Sequence, residues 1–232
     1  MPTAIVTCLA TVLTSGCAPA DRTTVATAAD PDTDLTVAAL PAEAVVIGTD
    51  TAMASQAAKG NWVAALKAFA ASDATVFTPQ PQPAAQWLKD QDSTTPDIAW
   101  QPHVVMISCD GTMAATTGAI RWGEQNGYYT TLWARTAGGE WRWIASHGDG
   151  LEQPRKAPPY GRVGQIPASC EGRPNRPIAA PAEGEAMRQI ASRDQSMLFT
   201  WRVRPDGSRS VIAAAWNGER HVPHFRDEVA AR

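Results

Sequence analysis

The groups in this chain best suited to move a proton or hold a ligand lie together in GYYTTLWARTAGGEWRWIASHGDG, Gly127 to Gly150. Of the nine Trp and three Tyr residues taken together, five fall in this stretch, with one of the four histidines. An unperturbed imidazole titrates near pH 6.5, so His147 is the candidate for proton transfer or for a hydrogen bond to a ligand. A hairpin with the three-residue turn Ala137-Gly138-Gly139 sets Arg135 across from Trp141, Trp133 from Trp143, Thr131 from Ala145 and Tyr129 from His147. That face is aromatic, with a polar end where Tyr129, Thr131, His147 and Asp149 should converge. A four-residue turn shifts the register by one and places Tyr128, Thr130 and Leu132 beside the tryptophans instead. The first register is preferred because it leaves Leu132 and Ile144 opposed on the second face. The competing reading is a packed hairpin, with aromatics that serve cross-strand contact and a histidine satisfied by its own hydrogen bonds.

Other chemistries find little support. HVPH, His221 to His224, has two histidines three apart, but Pro223 forbids an ordinary strand or helix interior, and no Cys or acidic cluster completes a zinc set. No metal and no cofactor is therefore expected. The chain lacks a G-x-S-x-G elbow, a phosphate loop and a dinucleotide fingerprint. A net charge of −3, with Arg scattered along the chain, argues against nucleic acid, because neutralising phosphates requires clustered Lys and Arg. Cys109 in ISCDG and Cys170 in ASCEG remain as an even pair if Cys8 is cleaved away and Cys17 is consumed, and they suit one disulfide; two buried free thiols are the alternative.

The elements that must position these groups begin with a helical pattern, TDTAMASQAAKGNWVAALKAF, with Thr49 or Asp50 as N-cap and Met53, Ala57, Trp62, Ala65, Leu66 and Phe69 on its apolar face. Gly60 weakens it by about 1 kcal/mol relative to Ala, so one interrupted helix or two helices meeting there are expected. DATVFTP reads as a short strand and is followed by a Pro-rich approach to a short helix bearing Trp87 and Leu88. IAWQPHVVMISC, TMAATTGAIRW, GYYTTLWART and EWRWIASHG then alternate with turn residues as an antiparallel meander. Beyond Leu151 the chain turns Pro- and Gly-rich. SMLFTWRVRPDGSRSVIAAAWNG stands out there as a β-hairpin over about 197–217. No internal repeat stands out.

The N-terminus carries an uncharged, mostly apolar run, Ala4 to Leu13, too short to span a bilayer at roughly 20 residues per helix but suited to a signal peptide. LTSGCAPA after it resembles a bacterial lipoprotein signal, which implies cleavage behind Gly16 and acylation of Cys17. Two departures stand against it: no Lys or Arg precedes the run, and Thr14 replaces the usual aliphatic residue. The organisation expected is a signal over 1–17, a tether over 18–48 rich in Ala, Thr, Asp and Pro, one domain over 49–152 and an extension over 153–232. Such a chain is exported, as a periplasmic or outer-membrane lipoprotein.

The order of long helix, FAASDATVFTP, short helix with Trp87, and four strands closing on GGEWRWIASHGDG resembles the NTF2-like superfamily, nearest its SnoaL-like and DUF4440-like secreted members. The resemblance covers about residues 49–152, and its motifs are diffuse. It implies an α+β cone, with N-terminal helices packed on a curved antiparallel sheet and a pocket between them. The hairpin face supplies Tyr129, Thr131, Trp133, Trp143 and His147 as its expected lining, with Trp62, Phe69 and Trp87 facing them from the helices. It also implies the option of a homodimer through the open sheet face, unless the C-terminal hairpin occupies it. Ketosteroid isomerase-like members use an Asp base with Tyr and a protonated acid as donors. Tyr128 or Tyr129, Asp149 and Asp110 are of those types, but no motif aligns them with the family's catalytic positions. The expected function is binding of a small apolar ligand or an envelope partner without chemistry. The alternative is an isomerase, cyclase or hydrolase using His147 with Tyr129 or Asp149, and a third reading makes the 199–216 hairpin a docking edge for an envelope protein.

Overall fold

The computed structural model describes residues 40–91, 97–177 and 179–231. The signal, Cys17 and most of the tether lie outside the described residues.

Helix α1 (Ala42–Ala57) starts directly after Pro41, whose missing N–H is no loss ahead of a first turn, and Glu43 in that turn suits the positive end of the helix dipole. It therefore begins seven residues before Thr49, and Thr49 and Asp50 are not its cap. Thr49 Oγ1 instead donates back to Val45 O at 2.9 Å in mid-helix. Val46, Asp50, Met53 and Ala57 are buried at helical spacing, so the stripe that faces the sheet contains a carboxyl group. Gly60, at φ +93°, allows the reversal into α2 (Trp62–Phe69), which Asn61 caps by accepting Ala64 N–H at 2.9 Å.

The strands β1 (Ala70–Phe77), β2 (Pro81–Pro83), β3 (Ile98–Ile107), β4 (Met113–Trp122), β5 (Gln125–Arg135), β6 (Trp141–Leu151) and β7 (Gly164–Pro167) form one seven-stranded sheet, ordered β2-β1-β6-β5-β4-β3-β7. The short helix α3 (Ala84–Trp87) follows β2. The meander β3 to β6 is antiparallel as expected, but β1 pairs parallel with β6 and β7 parallel with β3, so the sheet is mixed. The turn between β5 and β6 is the three-residue one, with Arg135 paired to Trp141 and Trp133 to Trp143. A bulge then intervenes: Leu132 pairs with Ala145, Ile144 is skipped, and every later residue of β6 changes face. Thr131 pairs with Ser146, Thr130 with His147 and Tyr129 with Gly148. The expected opposition of Thr131 to Ala145, Tyr129 to His147 and Leu132 to Ile144 is overturned by that single extra residue.

The C-terminal hairpin is part of a second sheet, β8 (Ala186–Ala191), β9 (Met197–Val203), β10 (Arg209–Trp216) and β11 (His221–Val229), ordered β11-β10-β9-β8. Pro223 does lie in a strand. It is tolerated because β11 is an edge strand and the position adjoins a bulge, where a missing N–H breaks no ladder. Two apolar cores result. One lies between the helices and the seven-stranded sheet, around Val46, Trp62, Trp133 and Trp143; the other lies between the two sheets, around Met106, Leu132, Phe199 and Val211. The sheet face expected to be open for a homodimer is thus covered within the chain. Cys109, in the β3–β4 turn, is bonded to Cys170, which follows β7, with Cα atoms 5.2 Å apart.

Candidate functional site

On the helix side of the seven-stranded sheet lies a cavity of about 150 Å³. Five tryptophans line it: Trp62 from α2, Trp87 from α3, Trp100 from β3, Trp122 from β4 and Trp143 from β6. Tyr129, Thr131 and Ser146 supply its polar wall. Of the residues expected there, Phe69 and Trp133 do not line it. Trp133 is wholly buried beneath, its indole N–H given to Thr116 Oγ1 at 2.9 Å, while Phe69 packs against the surrounding core.

Most polar groups around this space are already engaged. Trp143 Nε1 donates to Leu66 O at 2.9 Å, and Thr131 and Ser146 hydroxyls share a bond of 3.0 Å. Tyr129 donates its phenolic proton to Asp50 Oδ2 at 2.8 Å, Trp100 Nε1 donates to Asp50 Oδ1 at 2.8 Å, and Thr116 also hydrogen-bonds Asp50. Burial holds the Asp50 carboxyl above the usual carboxylate range against the pull of these donors, and burial with Asp50 alongside pushes the Tyr129 phenol well above its usual value. Two indoles, Trp62 and Trp141, have a buried Nε1 with no hydrogen-bond partner among the described residues, and of these Trp62, 6 % exposed, lines the cavity. Asp50 was missed in the sequence because Thr49-Asp50 looked like a cap. The legible signal was its place between Val46 and Met53 on a helical apolar stripe.

His147 borders the cavity along the chain, but its ring belongs to the opposite face. Its Nε2 lies 2.9 Å from Asp227 Oδ2 on β11, and the ring meets Phe77 and Tyr128 edge-on. Thr130 Oγ1 donates to the same Asp227 oxygen at 2.6 Å, and Arg155 reaches Oδ1 at 3.6 Å while lying over the Tyr128 ring. Burial pulls the imidazole below its usual pKa despite the carboxylate. Burial raises Asp227, but the donated protons of His147 and Thr130 and the Arg155 charge outweigh it and hold the carboxylate low. A carboxylate can only accept, so His147 Nε2 carries the proton of this bond, and its buried Nδ1 has no hydrogen-bond partner among the described residues. Tyr129, Thr131, His147 and Asp149 do not converge: the first two face the helices, whereas His147 and Asp149 pair with Thr130 and Tyr128 on the other face. Asp110 bonds within its own turn, to Ser108 and Thr112.

A pH dependence follows. A histidine whose folded pKa lies below its unfolded value binds fewer protons when folded, so its contribution is complete above about pH 6.5 and is lost as pH falls, at up to about 1.4 kcal/mol per pH unit. The thermal midpoint should decline between pH 7 and pH 5. His147→Gln, whose Nε2 amide can still donate to Asp227, should flatten that decline; an unchanged slope in this variant would refute the assignment.

No family model matches the chain, and no curated protein matches it. Among solved structures it is similar to a DUF3225-family protein of unknown function from Pectobacterium atrosepticum, at 17% identity over 48% of this chain and 94% of that one, with a TM-score of 0.38. It is similar to a ketosteroid isomerase-like protein from Erwinia carotovora atroseptica, at 14% identity over 47% of this chain and 96% of that one, TM-score 0.40. A third is an NTF2-like superfamily protein from Salmonella enterica serovar Typhimurium, at 12% identity over 51% and 95% of the two chains, TM-score 0.39. The structural neighbours of this chain are thus NTF2-like and ketosteroid isomerase-like proteins, each covering about half of it.

Proposed function

We propose that this chain is an NTF2-like binding protein that holds a small, flat, largely apolar molecule in its tryptophan-lined cavity and does no chemistry on it. The observation that carries this reading is the indole N–H of Trp62, a buried donor on the cavity wall with no hydrogen-bond partner among the described residues, while the neighbouring Tyr129, Thr131, Trp143 and Ser146 are all engaged. A buried donor without an acceptor costs about 1–3 kcal/mol, which a ligand oxygen or ring nitrogen recovers on binding. A space of about 150 Å³ suits one ring or a short branched chain rather than a drug-sized molecule. The absence of chemistry is supported by the arrangement of the polar groups. Tyr129 gives its proton to Asp50, and His147 gives its own to Asp227 on the far side of the sheet.

The probes that test this are benzyl alcohol, which carries an acceptor, and toluene, which does not. Native protein should bind both, with a change in tryptophan fluorescence. Trp62→Phe should weaken benzyl alcohol by roughly tenfold, about one hydrogen bond's worth, and leave toluene within about twofold. Failure of the native chain to bind either probe at millimolar concentration would refute the reading.

Export and lipid anchoring at Cys17 belong to the same proposal. They are supported by the apolar run before Cys17 and by the Cys109–Cys170 disulfide, since such bonds persist in oxidising compartments. Mass spectrometry of the mature N-terminus in a bacterial host tests it, and an intact Met1 would end it.

A further inference from the structure

We infer that residues 186–229 are a second copy of the meander 98–151, docked face to face on the first about a local two-fold axis. The surface between them is then a homodimer-type interface closed within one chain. In both sheets four successive strands pair antiparallel in chain order. The first turns share Ser, Asp and Met at matching places and a hydroxyl residue before the Met: Ser108-Cys109-Asp110-Gly111-Thr112-Met113 and Ser192-Arg193-Asp194-Gln195-Ser196-Met197, with the two Asp 84 residues apart. Each turn is closed by the same bonds, Ser108 N–H to Met113 O at 2.9 Å and Ser192 N–H to Met197 O at 3.0 Å. In each the fourth residue is left-handed, Gly111 at φ +62° and Gln195 at +63°.

The likeness extends past the turns. In the first meander Leu132 pairs with Ala145, Ile144 is skipped and Trp133 pairs with Trp143. In the second, Ala213 pairs with Phe225, His224 is skipped and Ala214 pairs with Pro223. The same bulge thus interrupts the last strand of both. Bulges are specific features of a strand pair, and two in matching places between matching turns are not expected of unrelated sheets.

The contacts between the copies are reciprocal, as at an isologous interface, where residue i meets j and j meets i. Asp110 N–H donates to Asp194 Oδ2 at 2.9 Å, and Asp194 N–H donates to Asp110 Oδ2 at 3.1 Å. Cys109 N–H donates to Ser196 Oγ at 2.8 Å, and Arg193 N–H reaches Thr112 Oγ1 at 3.4 Å. His147 and Asp227 also hold equivalent places, each two residues beyond its bulge-flanking pair, and they bond one another. Where the first meander carries helices on its outer face, the second carries an irregular strap: Trp216 Nε1 donates to Glu171 O at 2.7 Å, and Arg202 reaches Ala180 O and Glu185.

The second copy also completes the surroundings of the cavity. An open cleft of about 910 Å³ shares Phe77, Thr78, Trp122 and Gly148 with the cavity, and its opposite wall is Asp206, Gly207, Arg209, Val229 and Ala230. A meander standing alone would have half of this cleft. Only the cleft's use as a ligand's approach rests on the binding proposal; the duplication does not.

The test transplants one turn into the other within the full oxidised chain. Arg193→Ala with Gln195→Gly and Ser196→Thr gives the second turn the character of the first. If the two are equivalent, the introduced threonine hydroxyl takes over the role of the Ser196 hydroxyl, as Thr112 serves opposite, and the thermal midpoint stays level or rises by a few degrees. A fall of more than about 5 °C would overturn the equivalence. The reverse pair, Gly111→Gln with Thr112→Ser, should fold with a loss of no more than a few degrees, and failure to fold would also overturn it. Sedimentation of the chain produced without residues 1–17 should give a monomer, since the interface is already filled; a stable dimer overturns closure within one chain.

Discussion

Asp50→Ala is expected to lower the thermal midpoint by roughly 10 °C, the largest effect of any single substitution proposed for this chain. Asp50 is fully buried and joins α1 to three strands at once, through Trp100 on β3, Thr116 on β4 and Tyr129 on β5. Alanine strands all three donors and opens a void. At about 1–3 kcal/mol for each unsatisfied group, with some relief from water reaching the partly exposed Trp100, the loss is on the order of 4 kcal/mol. Asp50→Asn keeps one acceptor oxygen and should cost less. Its penalty should also depend on pH. With its folded pKa above the ordinary 3.8, native Asp50 binds more protons than the unfolded chain between those two values, so its contribution to stability falls as pH rises through that window. Asn does not titrate, and its penalty is therefore larger at pH 4 than at pH 7. Denaturant melts of both variants at the two pH values check this; an Asn penalty that grows with pH would show that Asp50 is held ionised.

The second large effect is expected from Cys109→Ser with Cys170→Ser. The bond closes a loop of 61 residues, and in the chain-entropy treatment its removal costs about 4 kcal/mol, a loss of roughly 10 °C in the midpoint. The cost should appear in stability and not in architecture. The β3–β4 turn keeps the Cys109 N–H bond to Ser196, and the segment before Cys170 keeps Ala168 N–H to Ile107 O and Ser169 N–H to Trp216 O, bonds that tie it to both sheets. Reduction of the native chain should lower the midpoint by the same amount as the double substitution, with the far-ultraviolet circular dichroism unchanged at room temperature. A midpoint insensitive to reductant would show that the pairing is not what restrains the linker.

Much of the frame could be read in advance because it rests on local chemistry. Alternation along IAWQPHVVMISC or GYYTTLWART marks a strand, Ala137-Gly138-Gly139 marks a three-residue turn, and Gly60 marks a helix break; each depends on the few residues involved. The repeat was also there to be seen, in SCDGTM and SRDQSM, but only Ser, Asp and Met coincide, too little to stand out without the strands that follow.

The site was misjudged at one residue. Nothing in RWIASH announces that Ile144 is skipped, since no Gly or Pro marks the place and the bulge is set by how β6 fits β1 on one side and β5 on the other. That slip sends His147 to the second sheet and leaves Tyr129 for Asp50, 79 residues earlier. His147 in turn finds Asp227, 80 residues later. Local propensity and turn chemistry suffice to make these strands and helices, because backbone conformation answers to near neighbours. Which face each polar side chain shares, and with which partner, answers to register and burial, and only the packed sheets decide those.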